Sequence, residues 1–482
     1  VSGSDDDFDN NDFDNNDNDY SSNDNGDARS SAVGLDHPFG HRPQRPGAYL
    51  HRLDLGPQTG RNFSYAGRII SVSSPQWLVD QRSAAVHTDQ FAMPSSEEEV
   101  WRYSRVADVD LSQWAIVSDR SEGVPAEAAA LLDSLGHLAG TVVVRNGAVV
   151  ASRLDEALVA KGVYVGSLVD GPDAQNSLGV VADGGPDVFG RLNDANFLDG
   201  VLVHVPAGVT VDAPIAIIDW IDIDGSAVYP RLVVRVGADA DVRILDWHGS
   251  ADIAALVSPL VELDVDRAGR LSYGNVQMRG PRVWQIASQV SRVLNDGTLT
   301  SSHAGLGCDY GRMRTDCELI GRGATGNLSA VYFGTGSQTL DFRTFQHHAA
   351  PDTNSNLLFK GAVGGQSRSI YTGLIRVEKE ARGTNAFQTN RNLKLSDTAW
   401  AESVPNLEIE TNDVKCSHAS TVGPVDEEQV FYLESRGVPT EIAERLIVAG
   451  FFDEVLEEFP VAAAVPLIAA AIDERLDAGV NS

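Results

Sequence analysis

Cys416 and His418 stand two residues apart in Lys415-Cys416-Ser417-His418, near the end of the stretch Pro405 to Gly423, PNLEIETNDVKCSHASTVG. On an extended chain residues i and i+2 leave the same face, so the spacing predicts a thiol and an imidazole side by side. That donor pair suits iron, zinc or copper(I). Lys415 is expected to favour the thiolate if it lies close, since a neighbouring cation lowers a thiol pKa. Spacing alone also fits a small buried cysteine and a hydrogen-bonded histidine at a strand end, because a metal site needs more ligands than one pair supplies.

Other chemical signals are weaker. Gly321-Arg322-Gly323-Ala324-Thr325-Gly326 matches GxGxxG. A dinucleotide site needs a helix next, but Asn327 to Phe333 reads as a strand, so the motif is a turn. His347 and His348 are adjacent and should face opposite sides of a strand, a poor ligand pair. Cys308 and Cys317 read as packed thiols. The sequence has no GxxxxGK[ST], no GxSxG and no HExxH, which removes the P-loop, the hydrolase elbow and the zincin helix.

The elements that would carry Cys416 and His418 are strands. Leu407, Ile409 and Thr411 alternate with Glu408 and Glu410. Upstream, turn glycines fall at 208, 237, 269, 297 and 323, spaced by 29, 32, 28 and 26 residues. Short strands at that loose period predict a stacked solenoid, with a Greek-key sandwich as the alternative. Each coil pairs with its neighbours, so the flanking segments are expected to cover the end coils. Before the solenoid, Ala126 to Leu135 reads as a helix, and Gly140 to Arg145 and Ala148 to Ser152 as strands joined by an Asn146-Gly147 hairpin turn. The Glu97-Glu98-Glu99-Val100-Trp101 run reads as a surface helix anchored by Trp101. After Gly423 the period becomes helical. Asp426 to Arg436 ends at Gly437, and Thr440 is expected to cap a second helix. Phe431, Phe451 and Phe452 look exposed and suit partner binding.

The stretch Pro405-Asn406-Leu407-Glu408-Ile409, Asn412 to His418, Thr421-Val422-Gly423 and Asp426 to Gly437 resembles the SufD branch of the SufB/SufD family, scaffold subunits of the SUF iron–sulfur cluster assembly system. The resemblance extends, weakening, from about Ser71 to Phe459. SufB-like chains carry an Arg-Cys-Asp-Ser segment upstream and lack Lys-Cys-Ser-His. Here the comparable Asn392 to Asp397 has no cysteine, which favours SufD. The resemblance implies a right-handed parallel β-helix and a non-enzymatic scaffold. It implies a SufB-like paralogue bound through the β-helix and a SufC-like ATPase docked on the C-terminal helices. No cofactor would be held stably; an iron–sulfur cluster would form transiently at a subunit interface. His418 would be the metal and cluster-assembly residue, with Cys416 its companion. The rival reading of a solenoid is a carbohydrate-active enzyme such as a polysaccharide lyase.

Composition narrows the possible partners. The formal charge is −31, from 68 acidic and 37 basic residues. The first thirty residues hold ten Asp and one Arg, so −9 belongs to them and −22 to the rest. An acidic chain disfavours nucleic acid and anionic membrane as partners. Three cysteines without a CxxC suit a reducing cytoplasm, and no run approaches a spanning length. The expected organisation begins with a disordered acidic tail over 1–35, which lacks the Gly and Glu placement of an EF-hand loop. After it come a linker over 36–70, an N-terminal α/β domain over 71–178, a β-helix over 179–423 and helices over 424–482.

Overall fold

The computed structural model describes residues 75–86, 92–182 and 184–479. The expected tail and linker lie outside the described residues.

Residues 201–423 wind into a β-solenoid of about eight coils. Each coil gives one strand to each of two parallel sheets. The first coil supplies Val201–Val205 and Ile215–Ile221, the last Trp400–Ile409 and Val414–Gly423. Successive coils pair in register, so a side chain lies above its counterpart one coil earlier; Thr339 pairs with Arg368 and Arg368 with Trp400. Strands such as IAIIDWI are apolar at every position but one or two because both faces are covered. Ile215 and Ile217 point into the lumen with Ile244, Leu271 and Tyr273, whereas Ala216 and Ile218 point outward.

The corner between the sheets explains the glycine period. Gly208, Asp239, Ala268, Asp296, Gly323, Asp352 and Gly383 all have positive φ. Each donates its N–H to a carbonyl of the next coil, as from Asp239 to Arg267 and from Asp352 to Arg382. The left-handed position is thus filled by Asp as often as by Gly, since a short polar side chain tolerates it. Gly237 and Gly321 serve close stacking instead: a Cβ there would lie 2.6 Å from Ala207 N and 2.0 Å from Asn295 N.

The N-terminal segment is continuous with the solenoid. Gly140–Arg145 pairs in parallel with Ile215–Ile221, and Tyr164–Ser167 antiparallel with Val201–Val205, so strand pairing crosses the expected boundary at 178. Asn146 and Gly147 both have positive φ, as the hairpin turn requires. Glu99–Trp101 is a 3-10 turn rather than the expected surface helix. Trp101 is buried, its ring 5.6 Å from Phe189.

The C-terminal helices do not cap the last coil. Thr440–Leu456 and Val465–Gly479 lie on the outward face of the second sheet, where Phe452, Val455, Phe459 and Ile468 meet Ile218, Leu245, Val276 and Phe333. That row is apolar over several coils, so burial there outweighs covering one end. Lys360 pins the arrangement, donating to Phe451 O at 2.8 Å and pairing with Glu454. Thr440 does not act as the expected cap: Pro439 holds the N-cap position, and the Thr440 hydroxyl bonds Glu434 instead. Gly437, at φ 86°, ends the helix Glu427–Ser435 as its position predicts.

Candidate functional site at the open end of the solenoid

Strand alternation puts Val414, Cys416, His418, Ser420 and Val422 on the lumen side of the last strand, over Thr384, Ala386, Gln388, Asn390 and Asn392 of the coil before. Cys416 and His418 therefore share a face, as their spacing predicts. That face is a lumen with nothing stacked beyond it among the described residues. In the preceding coil the inward residues Ala386, Gln388, Asn390 and Asn392 are all buried; in Val414–Gly423 most residues are exposed. Ile409 and Val422 are each 40% exposed. The outer edges of Trp400–Ile409 and Val414–Gly423 carry no further strand among the described residues.

The two candidate ligands differ in environment. Cys416 is half-buried and packs with Val414 and Leu407 against Ile375, Val377, Ala381 and Ala386. Burial pushes its thiol pKa up. Lys415 faces the other side of the strand, so the expected cationic activation of Cys416 is absent: desolvation governs this thiol. His418 is exposed at the mouth of the lumen. Among the described residues no group of three or more His, Cys, Asp and Glu is placed to hold a metal ion. Cys416 and His418 can supply two donors, and a further set must come from elsewhere.

The remaining cysteines and histidines take structural places. Cys308 and Cys317 are fully buried, and burial lifts both thiols to about 12. His347 faces outward and meets Glu378 at 3.0 Å, while His348 faces the lumen between Thr353 and Ser355. Gly321 to Gly326 forms a turn that leads into the strand Thr325–Gly334.

Of the three aromatic residues proposed for partner binding, only Phe431 is widely exposed, at 70%. Phe451 is partly buried, and Phe452 is 1% exposed, 6.3 Å from the Phe333 ring. The expectation that Phe452 presents a surface is overturned, because it anchors its helix to the second sheet. Tyr432, Ile442 and Leu446 are also exposed on the same pair of helices.

Sequence reading also missed a polar seam in the lumen. Asp246 accepts from Tyr273 at 2.6 Å and meets His248 at 3.0 Å, and Asp219 accepts from Arg279 at 2.6 Å. The signal was present: Asp219 in IAIIDWI occupies an inward position of an apolar strand.

Residues 220–451 match the family described as "SUF system FeS cluster assembly, SufBD core domain", and residues 60–217 match "SufBD protein N-terminal region". An iron–sulfur cluster assembly SufBD family protein of Mycobacterium tuberculosis is 30% identical over 82% of this chain and 92% of its own length. A Mycobacterium leprae relative is 33% identical over 58% of this chain and 73% of its own. One from Staphylococcus epidermidis is 25% identical over 82% and 88%.

Proposed function

The chain belongs to the SufBD family of the SUF iron–sulfur cluster assembly system, and from that membership we propose that it is a SufD-like scaffold subunit whose open end coil meets a SufB-like paralogue. The Lys415-Cys416-Ser417-His418 segment and the cysteine-free Asn392 to Asp397 support the SufD assignment over SufB. The polysaccharide-lyase alternative is set aside by the family membership.

One observation carries the reading: among the described residues the last coil has two unpaired strand edges and an uncovered lumen mouth, at which Cys416 and His418 lie. A free edge is a template for another strand. A paralogue that adds strands to both edges would bury that mouth and bring its own ligands to it. Neither subunit alone then satisfies iron, which lets a nascent cluster be built and released. His418 is the more accessible donor. Cys416 must first lose a proton that burial holds on it. The cluster is cargo of this site.

The exposed Phe431, Tyr432, Ile442 and Leu446 would receive the SufC-like ATPase. The deciding experiment is coexpression with the paralogue and ATPase of the native host. A stable complex containing all three, whose cluster content depends on His418, is expected. Failure to copurify with either partner would overturn the assignment.

A further inference from the structure

The outward face of the first sheet holds a buried cation with no counterion among the described residues. Tyr310–Leu319 and Thr339–His348 pair so that Arg312 lies opposite Asp341 and Arg314 opposite Arg343. Arg312 is paired with Asp341 and also donates to Val100 O at 2.7 Å. Arg314 grips Asp316 through Nε and Nη2, at 3.0 and 2.9 Å, and reaches Pro186 O at 3.4 Å. Arg343 is 3% exposed, and its Nε is buried with no acceptor. Among the described residues no carboxylate is within ion-pair distance of it; Asp341 and Asp316, on its own strand and the neighbouring one, are paired with Arg312 and Arg314. Its guanidinium lies 4.7 Å from the Phe345 ring, which Arg314 also covers at 4.5 Å. Ser288 and Thr372 continue the same row on the neighbouring strands, next to Arg314 and Arg343.

An unpaired buried cation is costly, and proteins meet that cost with a partner. Buried Arg231, Arg279 and Arg312 each face a carboxylate. Arg343 instead feels burial first, then Arg312 and Arg314, which together bring its pKa to about 10, opposed by Glu99 and Asp341. It stays charged at neutral pH. Two guanidinium groups and two hydroxyls in one row are a set rich in donors, and guanidinium forks match tetrahedral oxyanions.

We propose that Arg343 and Arg314, with Thr372 and Ser288 beside them, bind a phosphate group between the first sheet and the segments at Glu99–Trp101 and Pro186. The ligand is inorganic phosphate or a small phosphorylated molecule. Because Val100 and Pro186 bond the same arginine cluster, occupancy also fastens the N-terminal segment to the solenoid.

Calorimetric titration of the full chain at constant ionic strength tests this. Saturable one-site binding of inorganic phosphate is expected, with Arg343→Gln losing at least about tenfold in affinity. Glu99→Gln should bind more tightly, since it removes a carboxylate whose charge opposes the anion at Arg343. Glycerol phosphate separates the two sources: equal affinity points to the free ion, tighter binding to a phosphorylated molecule. If Arg343→Gln does not fold, Thr372→Val carries the same comparison. Wild-type protein that takes up no phosphate, or an Arg343→Gln or Thr372→Val variant that binds as wild type does, overturns the site. So does a Glu99→Gln variant destabilised as much as Arg343→Gln, because Glu99 would then be the counterion.

Discussion

Gln388 lies one coil beneath His418, as its direct partner in the parallel ladder, and both polar atoms of the Gln388 amide are buried without a partner among the described residues. Parallel strands stack about 4.8 Å apart, so the amide is within a side chain's length of the imidazole. A buried amide with nothing to bond is costly in the isolated chain. If a second subunit closes the lumen as proposed, the amide would be placed to fix a ring nitrogen of His418. Gln388→Leu should therefore leave the free chain as stable as wild type or more so, while lowering cluster content in the complex. Thermal melts and iron and sulfide assays on the same preparations check both halves.

His418→Ala should fold and associate normally, because an exposed side chain changes stability by no more than about 0.5 kcal/mol. Its complex should contain sharply less iron and acid-labile sulfide. Cys416→Ala should be milder in cluster yield but measurably less stable, as the thiol packs against Leu407 and Ile375. Wild-type iron and sulfide in the His418→Ala complex would remove the assigned site.

Phe431 and Phe452 should separate cleanly. Phe452→Ala should cost about 3–5 kcal/mol, the loss typical of a large buried aromatic. Phe431→Ser should leave the urea midpoint nearly unchanged and weaken capture of the ATPase. Retained capture by Phe431→Ser would move that interface off the exposed helix pair.

Buried His348 and partly buried Glu318 should give stability opposite pH dependences. Burial, reinforced by His347, pushes His348 from its ordinary 6.5 down to about 3. The folded chain then binds fewer protons than the unfolded one between those values. Its contribution is full above about 6.5 and lost as pH falls toward 3. Glu318 is raised from 4.5 to about 7 by burial and then by Asp316. The folded chain binds more protons in that window, so stability declines as pH rises through it. Glu318→Gln should raise the urea midpoint near neutral pH and above, and the gain should vanish below about pH 4.5. His348→Gln should flatten the acid limb. Urea melts from pH 4 to pH 8 (the range is about that of both windows) read each change.

Local pattern determined much of this protein. The near-thirty-residue spacing of turns marked the solenoid, Asn146-Gly147 marked its hairpin, and the two-residue offset put Cys416 and His418 on one face. These are short-range consequences of strand alternation and turn geometry, and they are written in consecutive residues. The left-handed corners were legible only in part, because Asp239, Asp296 and Asp352 fill positions where glycine was the signal. What tertiary structure alone decided is where each apolar face is spent. Nothing in the run from Phe431 to Phe459 says that Phe452 packs on Phe333, more than a hundred residues earlier, while Phe431 stays in water. That choice depends on an apolar row assembled from one or two residues of each coil, which exists only after the coils stack. The same stacking leaves the last coil uncovered among the described residues, sets Gln388 under His418 and puts Arg343 beside Arg314. Long-range register, which sums weak contacts across many strands, decides these neighbours, and no window of sequence contains it.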